Sequence, residues 1–323
     1  MSKKIKNKIV AVDFGATFIK FAIVNLNGKI LKKDFIVTKE YKGSLNLIQK
    51  IAETVKLLVG KERSSFLGLG IGVPGPVDYK KGIVYNLTNV KGFKDIPLKS
   101  ILGKKTGLLS VVDNDANATA LGEAEWGAAK GFKDIVCITL GSGVGGGVII
   151  DGELFRGRGY SAAELGHICI DKKGPKCNCK SNGCIEVFAG NSYIVKDTIK
   201  RLKSKNTSLI LNLASNKYSN ITPEIISKAA KRGDKLAIKI WKEVGSNVGI
   251  GLASVVNVLN PQIIVIGGGL SKAGSVLFNS LISTTKKRSM NIFSKDLLIK
   301  RAKFIEDAGT VGAGALVKRE SKK

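Results

Sequence analysis

The sequence has few acidic residues, one histidine and no long apolar run. Its 323 residues include 25 Asp and Glu against 53 Lys and Arg, which gives a formal net charge of +28 at pH 7. No stretch reaches the ~18 apolar residues that a membrane-spanning helix needs, so a membrane protein is not expected. Hydrophobic residues make up 44% of the chain, so the composition excludes a disordered protein and allows a buried core.

Arginine is also scarce, because only 8 of the 53 basic residues are Arg and 45 are Lys. Proteins that read nucleic acids depend on Arg for bidentate contacts with bases and phosphates. The Lys residues occur singly and in pairs along the whole sequence, a pattern typical of a solvated surface. We therefore expect no specific nucleic-acid partner, although an anionic partner stays open as the alternative explanation of the charge.

The N-terminal segment lacks the features of a secretory signal. The apolar segment that follows its basic residues is interrupted by Asp13 and Lys20, and no small-residue cleavage site follows it. We therefore expect a cytoplasmic protein. In a reducing compartment, clustered cysteines indicate a metal site rather than disulfide bonds.

Three of the five cysteines lie close together in the sequence, downstream of the only histidine. They stand among polar residues and glycine, so they do not fit the alternative of small buried hydrophobes, which suits the other two cysteines. Three thiolates and one imidazole form a closed tetrahedral set that is typical of structural zinc. The predicted ligands are His167, Cys177, Cys179 and Cys184.

Short apolar runs and glycine turns organise the sequence into strands and helices. The part up to Val73 predicts the order β-β-β-α-β, with Asn27-Gly28 as a hairpin turn and Ser44 as the cap of the helix. From Asp134 the order of strand, glycine turn, strand and hairpin occurs again. This self-similarity indicates an internal duplication.

Three glycine turns that follow predicted strands could together surround one nucleotide. They are Asp13 to Thr17, Gly141 to Gly147 and Gly267 to Gly269. The exposed N–H groups of such turns can hold phosphate oxygens, although an ordinary tight turn is the alternative. In the first turn, Thr17 and Lys20 are available to phosphate, and Asp13 could arrange a metal ion through water.

The second turn satisfies the pattern GxGxxG, but a Rossmann site is not expected there. A dinucleotide site needs a helix after the glycines, because the pyrophosphate sits on the helix N-terminus. Here Val148-Ile149-Ile150 follows and predicts a strand. No Walker A sequence occurs in the chain either.

Asn114 and Asp115 stand where a predicted strand meets a predicted helix. A carboxylate at such a position can accept a proton from a substrate hydroxyl as a phosphoryl group arrives. The alternative is helix capping, for which Asn and Asp are both favoured. The pair alone therefore leaves both interpretations open.

Taken together, these segments resemble the ROK family of repressors, open reading frames and sugar kinases over nearly the whole sequence. The first and second glycine turns are similar to its two phosphate motifs. Asn114-Asp115-Ala116-Asn117 matches its catalytic motif. The stretch from Glu164 through the cysteines to Glu186 matches its zinc and sugar-binding signature.

Three positions depart from the usual ROK pattern. Ala16 replaces a usual Gly in the first phosphate motif, and Ser142 replaces a usual Thr in the second. Lys180 replaces a Gly that usually follows the second cysteine. We expect Ala16 to crowd a backbone approach and Lys180 to alter its loop without removing a ligand.

The resemblance implies an α/β fold of the actin-like ATPase, or ribonuclease H-like, type, with two domains and a cleft between them. We expect a small α/β domain over residues 1–118, completed by a C-terminal helix at about 307–323. A large α/β domain with the zinc-binding loop would cover residues 119–306. A homodimer is also implied.

The resemblance further implies roles for individual residues. Asp115 would be the general base for a sugar hydroxyl that attacks the γ-phosphate of Mg-ATP. Residues that would hold the sugar are Gly75, Asn89, Asn114, Asp115, Glu164, His167 and Glu186. Residues that would contact ATP are Asp13, Gly15, Thr17, Lys20, Gly141, Ser142, Gly143, Gly145, Gly268 and Gly269. His167 would be shared between sugar and the structural zinc.

Two function classes compete within the family. The first is a hexose kinase, with glucose favoured because Pro74-Gly75-Pro76 and the stretch Asn89 to Pro97 look like bacterial ROK glucokinases. N-acetylmannosamine, N-acetylglucosamine and allose kinases stay open as alternatives. The second class is a sugar-responsive repressor, which carries an N-terminal helix-turn-helix domain. Because the first predicted strand begins by about Lys8, we expect no such domain here.

Overall fold

The computed structural model describes residues 6–87, 90, 92–204 and 207–322, and the chain divides into two compact units. Unit 1 comprises Met1–Cys137, Gly147–Ala163 and Ala302–Lys323, and unit 2 comprises Ile138–Gly146 and Glu164–Arg301. The domain boundaries expected from the sequence stay a prediction.

The strands are short and lie in three sheets. In chain order they are β1 (Lys8–Phe14), β2 (Phe18–Asn25), β3 (Ile30–Val37), β4 (Phe66–Val73), β5 (Val77–Asp78), β6 (Ile83–Asn86), β7 (Lys94–Ile96), β8 (Ser110–Asn114), β9 (Ile135–Leu140), β10 (Val144–Ile150), β11 (Glu153–Phe155), β12 (Ile263–Gly267) and β13 (Leu298–Arg301).

The helices alternate with these strands in the first half of the chain and dominate the second half. In chain order they are α1 (Ser44–Val59), α2 (Leu98–Thr106), α3 (Asp115–Trp126), α4 (Ile185–Ala189), α5 (Asn191–Ser204), α6 (Leu209–Leu213), α7 (Pro223–Lys231), α8 (Lys235–Leu259), α9 (Ser275–Arg288), α10 (Asn291–Ser294) and α11 (Ala308–Glu320). Within the described ranges, no helix combines the length and the hydropathy that crossing a membrane requires.

The first sheet confirms the predicted order β-β-β-α-β. Its strand order is β3-β2-β1-β4-β8, in which β1, β2 and β3 pair antiparallel and β1, β4 and β8 pair parallel. The apolar run Ile9 to Val12 in β1 is fully buried because strands lie on both sides of it. Asn25 closes the β2–β3 turn, since its Oδ1 accepts from the N–H groups of Asn27 and Lys29 at 3.0 and 2.9 Å.

Helices cover this sheet and complete the core of unit 1. The apolar face of α1 buries Leu47, Ile48, Ile51 and Val55 among the sheet residues. The C-terminal helix α11 packs against α3, β1 and β4. Its middle turns are buried and consist mostly of small residues, which allow the helix to approach the sheet closely.

The second five-stranded sheet repeats the plan of the first. Its order is β11-β10-β9-β12-β13, so a three-stranded meander is again followed by two further strands on the side of its first strand. The pair β10–β11 is antiparallel and the pair β12–β13 is parallel. This equivalence confirms the internal duplication predicted from the sequence. The third sheet, β5-β6-β7, is a small antiparallel one.

The long helix α8 is the main core element of unit 2. It packs along α9, and its Trp241 is fully buried. The helix ends at Leu259, and Asn260 follows it in a left-handed conformation with φ 43°. Asn260-Pro261 accounts for this end, because Asn tolerates the left-handed position and Pro cannot continue a helix.

Candidate functional site

The end of β8 and the start of α3 form a tight turn, Asp113 to Asn117, which we call the strand–helix junction. Asn114 is the N-cap of α3, and its Oδ1 accepts from the N–H groups of Ala116 at 2.9 Å and Asn117 at 3.2 Å. Asp115 is the first residue of the helix, and its Oδ1 accepts from the N–H of Ala116 at 2.8 Å. The capping role is therefore present, and it places the Asp115 carboxylate where the helix dipole stabilises an anion.

Asn114 also contacts a second predicted sugar-binding residue. Its Nδ2 donates to the carbonyl oxygen of Gly75 at 3.3 Å. Gly75 lies on the wall of a cavity of about 240 Å³. The cavity is lined by Phe14, Gly15, Ala16, Pro74, Gly75, Pro76, Asn86, Leu87 and Val90. The structure thus brings the first glycine turn beside Gly75. Asn89 lies outside the described residues.

The first glycine turn joins β1 to β2. The N–H of Gly15 donates to the carbonyl oxygen of Phe18 at 3.0 Å, and Thr38 Oγ1 donates to the carbonyl oxygen of Gly15 at 2.9 Å. Ala16 and Thr17 are exposed, and Ala16 does not adopt a positive φ. The methyl group that replaces the usual glycine therefore fits this turn without a left-handed backbone.

Asp13 lies at the base of the same turn. It is the register partner of Lys20 across the β1–β2 pair, and it borders Gly309 in the first turn of α11. Burial raises the pKa of Asp13, and the charge of Lys20 lowers it in part. Lys20 itself is exposed, and its Nζ donates to the carbonyl oxygen of Glu306 at 3.5 Å. A divalent cation would favour the charged form of such a carboxylate.

The second and third glycine turns lie together in unit 2. The N–H of Gly141 donates to the carbonyl oxygen of Gly143 at 3.0 Å, which closes the turn between β9 and β10. Gly268 has φ 79°, and any side chain there would collide with the backbone of Leu140 at the end of β9. Glycine is therefore required at position 268, and it lets the two turns approach each other.

The other predicted ATP-binding residues of unit 2 lie on these turns or beside them. Ser142 is exposed within the second turn, and Gly145 is half-buried in β10. Gly269 begins a short 3-10 helix, Gly269–Ala273, directly after Gly268. The described hydrogen bonds do not explain why Ser142 stands where the family usually has threonine.

The predicted metal ligands come together in unit 2, on a segment from His167 to Cys184 that we call the cysteine loop. The ligand atoms of His167, Cys177, Cys179 and Cys184 all lie within 4.8 Å of one another. Cys177 Sγ lies 3.7 Å from His167 Nδ1, and the sulfur atoms of Cys179 and Cys184 lie 3.6 Å apart. Tetrahedral zinc, with Zn–S near 2.3 Å and Zn–N near 2.0 Å, spaces its ligands by about 3.6–3.8 Å, so the donor set fits this ion.

The pKa values of the cysteines in this loop depend on how closely their thiols lie together. Burial raises the pKa of Cys184 to about 12, and the neighbouring thiols of Cys179 and Cys177 add to that rise. The pKa of Cys179 is lowered, chiefly by a hydrogen bond from the backbone of Ser181. Several thiolates cannot share so small a space without a compensating cation, and a divalent ion would supply that charge.

Lys180 is a strained residue in the cysteine loop. Its φ is 75°, in the left-handed region that glycine adopts more readily than a residue with a side chain. This is the position where the ROK pattern usually has glycine. The expectation that Lys180 alters the loop thus has a physical basis in the backbone, and the four ligand atoms are nevertheless assembled.

Glu186 connects the cysteine loop with the second glycine turn. Its Oε2 accepts from the N–H of Val144 at 3.1 Å, and a Cβ at position 143 would lie 2.5 Å from the same oxygen. Its Oε1 lies 4.0 Å from Cys177 Sγ. Glu164, by contrast, is exposed just before a 3-10 helix, Leu165–His167, and its carbonyl oxygen accepts from the N–H of His167 at 3.0 Å.

Sequence reasoning missed one pair of residues at the strand–helix junction. The side chain of Asp113 is fully buried, and Arg156 from the segment after β11 forms an ion pair with it at 2.8 Å. Asp113 directly precedes the catalytic motif, and Arg156 is one of only 8 Arg among 53 basic residues. Scarcity alone does not single out Arg156, because five of the 8 Arg residues are exposed.

The chain matches the family described as "ROK family" over residues 9–320. A glucokinase of Thermotoga maritima is 36% identical over 313 residues, which cover 97% of this chain and 98% of the relative.

Solved structures show the same similarity. A ROK family glucokinase from Streptomyces griseus, in complex with glucose and AMPPNP, is 32% identical, and the alignment covers 97% of this chain and 99% of that one with a TM-score of 0.83. A ROK family transcriptional regulator, a homologue of the E. coli MLC protein, is 28% identical and covers 98% of this chain and 78% of its own, with a TM-score of 0.88. These matches confirm the predicted actin-like α/β fold.

Proposed function

Because the chain belongs to the ROK family, we propose that it is an ATP-dependent hexose kinase that converts glucose and ATP to glucose 6-phosphate and ADP. The observation that carries this proposal is the strand–helix junction, where Asn114 caps α3 and the carboxylate of Asp115 stands at the first helical residue. Transfer of a phosphoryl group to a sugar hydroxyl needs a positioned base of this kind.

In the proposed reaction, the carboxylate of Asp115 accepts the proton of the sugar 6-hydroxyl as the hydroxyl oxygen attacks the γ-phosphorus. A bond forms between that oxygen and phosphorus, the bond from phosphorus to the β-phosphate oxygen breaks, and ADP leaves. Asn114 would hold a neighbouring sugar hydroxyl, since its amide already lies against the carbonyl oxygen of Gly75. Most of the rate enhancement would come from this positioning.

The three glycine turns would bind the nucleotide. Backbone N–H groups of the turns at Gly15 and Gly141, with Thr17, Lys20 and Ser142, would hold phosphate oxygens. Magnesium, when bound with ATP, neutralises charge on the phosphates. Asp13 would hold that ion, directly or through water, because a carboxylate oxygen is a donor that magnesium prefers. The remaining candidates, which would complete the phosphate and adenosine contacts, are Gly143, Gly145, Gly268 and Gly269.

Further residues besides Asn114 and Asp115 are assigned to the sugar. Glu164, His167 and Glu186 would hold hydroxyl groups, together with Gly75 and Asn89. His167 turns Nδ1 toward Cys177, so Nε2 is the atom that we assign to the sugar. A histidine bound to a metal through Nδ1 keeps its proton on Nε2 and therefore donates to an oxygen acceptor.

The cysteine loop would hold one structural zinc through His167, Cys177, Cys179 and Cys184. Four protein ligands leave no open position, which is the arrangement of structural sites rather than catalytic ones. The ion, when bound, would contribute folding free energy to the loop. It would also fix Glu186, whose carboxylate reaches from the ligand set to the second glycine turn.

A panel of sugars tests the proposed substrate. Release of ADP would be measured with glucose, N-acetylmannosamine, N-acetylglucosamine and allose, each over a range of concentrations. We expect the highest kcat/KM for glucose, as the name of the Thermotoga maritima relative suggests. A higher value for another sugar would reassign the substrate, and no sugar-dependent ADP release would refute the kinase proposal.

A sugar-responsive repressor is the second candidate, because the ROK transcriptional regulator aligns with a TM-score of 0.88. An electrophoretic mobility shift assay with and without glucose would test it. Sequence-specific DNA binding that sugar releases would favour the repressor, and binding that depends only on ionic strength would reflect the +28 charge.

We also propose that the enzyme acts as a cytoplasmic homodimer and that it contributes to glycolysis by phosphorylating glucose. Light scattering coupled to size-exclusion chromatography would test the oligomeric state, since a dimer of this 34.4 kDa chain has twice that mass. A mass equal to the single chain at all protein concentrations would refute the dimer.

A further inference from the structure

A buried ion pair lies directly beside the proposed general base. The side chain of Asp113 is 0% exposed, and that of Arg156 is 15% exposed. Both the Nε and a terminal nitrogen of Arg156 lie 2.8 Å from Oδ2 of Asp113. Two donors of one guanidinium thus converge on a single carboxylate oxygen and hold its position more firmly than one donor would.

The other oxygen of Asp113 holds the strand–helix junction on both sides of Asp115. Oδ1 accepts from the N–H of Asn114 at 2.7 Å and from Nδ2 of Asn117 at 3.1 Å. Asn114 precedes Asp115, and Asn117 lies within the first helical turn that follows it. Any rotation of the Asp113 carboxylate would therefore move the backbone on which Asp115 stands.

Arg156 is also held by an aromatic ring. Its guanidinium carbon lies 3.6 Å from the centre of the Tyr79 ring, a stacking distance. The Tyr79 hydroxyl donates to Oε2 of Glu320 at the end of α11, at 2.7 Å. Burial and this carboxylate raise the pKa of Tyr79, so the phenol stays protonated and keeps donating. Successive contacts therefore link Glu320, Tyr79, Arg156 and Asp113 within unit 1.

We propose that Arg156 is a positioning residue that orients Asp115 for proton transfer by fixing the carboxylate of Asp113. This inference rests on the proposed kinase function and assigns Arg156 no contact with substrate. The segment after Arg156 leads along the chain to Glu164, a proposed sugar ligand, so the same anchor also fixes the start of that segment.

Stability alone does not account for this arrangement. A buried ion pair is often no more stabilising than apolar residues of similar volume, because both charges lose their hydration. Asp113 could cap the junction with its Oδ1 as a neutral asparagine would. Contacts on both oxygens, from Arg156 to Oδ2 and from the junction to Oδ1, add a fixed orientation, and orientation is what a general base requires.

The test compares Arg156→Ala, Arg156→Lys and a matched control, Arg319→Ala. Arg319 lines the same cavity of about 320 Å³, pairs with Glu125, and has no contact with Asp113 among the described hydrogen bonds and ion pairs. For Arg156→Ala we expect kcat to fall about 100-fold, as for a displaced reacting group. KM for glucose and for ATP should change little, and Arg319→Ala should keep the wild-type kcat.

Chemical rescue separates positioning from a general loss of structure. The cavity beside Arg156 is open and lined by polar groups, so free guanidinium at low concentration can enter the space of the deleted side chain. We expect it to restore part of the kcat of Arg156→Ala and not to increase that of Arg319→Ala or wild type. Equal stimulation of all three proteins would contradict the inference.

The outcomes separate this inference from the proposed function. A folded Arg156→Ala enzyme with wild-type kcat overturns the positioning role, while its hexose kinase activity supports the proposed function. If Arg156→Ala does not fold, Arg156→Lys decides, because it keeps the charge and loses the paired donors of the guanidinium. A lower kcat at unchanged KM supports the role, and an unchanged kcat overturns it. Absence of sugar phosphorylation by the wild type would instead refute the function.

Discussion

The strand–helix junction in unit 1 and the cysteine loop in unit 2 are held in different ways. At the junction, Asn114 caps a regular helix, and a buried ion pair of Asp113 with Arg156 lies behind it. The cysteine loop consists of turns with two isolated β-bridges, and its buried apolar cluster consists of Cys177, Cys184 and Val187. Regular structure positions the first region, whereas the second brings together four potential metal ligands.

This difference indicates a division of roles. A general base must keep one orientation through every turnover. Backbone hydrogen bonds and a helix cap can fix that orientation without a metal ion. A loop of polar residues and glycine has little apolar area to bury, so a metal can replace the missing core. We therefore expect changes at the junction to reduce the rate, and changes in the cysteine loop to reduce stability.

The largest expected effect is on the rate of Asp115→Asn. The amide cannot accept the hydroxyl proton, and loss of a general base reduces turnover by about 100- to 10,000-fold. Glucose binding, measured by calorimetry, should persist, because the substitution keeps the size of the side chain. The matched control is Asp34→Asn on the exposed strand β3, for which we expect wild-type kcat. A substantial rate for Asp115→Asn would contradict its role as the base.

The next effect concerns metal removal from the cysteine loop. We expect one zinc per chain by elemental analysis, and its loss in Cys184→Ser should lower the free energy of unfolding by several kcal/mol. The control is Cys169→Ser, an exposed cysteine outside the ligand set. A purified protein without metal, together with a Cys184→Ser variant as stable as wild type, would show that the loop does not depend on a metal. The proposed difference between the cysteine loop and the strand–helix junction would then be wrong.

A smaller effect links stability to pH through Asp13. Folding raises the pKa of this carboxyl, so the folded protein binds its proton more tightly than the unfolded chain does. The buried carboxyl therefore lowers the free energy of unfolding once it must ionise. This penalty is absent below the ordinary pKa of 3.8, appears as the pH rises through the folded-state pKa, and persists at pH 7. Asp13→Asn should therefore unfold at a higher temperature than wild type at pH 7, with no advantage at pH 3. Its kinase activity should fall if Asp13 holds magnesium. An equal difference at both pH values would refute the burial penalty.

The smallest effect is expected at Lys180. Because its φ is 75°, Lys180→Gly relieves backbone strain and should raise the free energy of unfolding by about 0.5 kcal/mol without changing the metal content. The control is Lys172→Gly, at an exposed position without a positive φ, where glycine should destabilise. Destabilisation by Lys180→Gly as well would show that the left-handed backbone carries no strain.

Much of the fold was readable from the sequence because hydrophobic periodicity and turn residues agree locally. The run around Ile9, the helix from Ser44 and the stop at Asn260 are each determined by neighbouring residues. The prediction that Ser44 caps its helix was wrong, because Ser44 is the first helical residue and Gly43 is the N-cap without a side-chain hydrogen bond. The sequence also predicted the metal ligands as a set, since His and Cys are rare in this chain. The ion pair of Asp113 with Arg156 was not predicted, because the partners are 43 residues apart in the sequence and only the tertiary fold brings them together.

The roles assigned to single residues are less determined than the fold. The sequence motifs identify Glu164 and Glu186 equally, yet the structure distinguishes them, since Glu164 is exposed and Glu186 accepts from the N–H of Val144. The orientation of such side chains depends on tertiary contacts that no local pattern contains. The preferred sugar is undetermined for the same reason, because it depends on the shape of a site rather than on a motif.

The most direct test of the account follows the reaction of ATP and glucose by phosphorus NMR, with wild type and Asp115→Asn side by side. We expect the wild type to form glucose 6-phosphate and ADP in equal amounts, and the variant to form neither at a comparable rate. ATP consumption without a sugar phosphate, or equal product formation by both proteins, would contradict it.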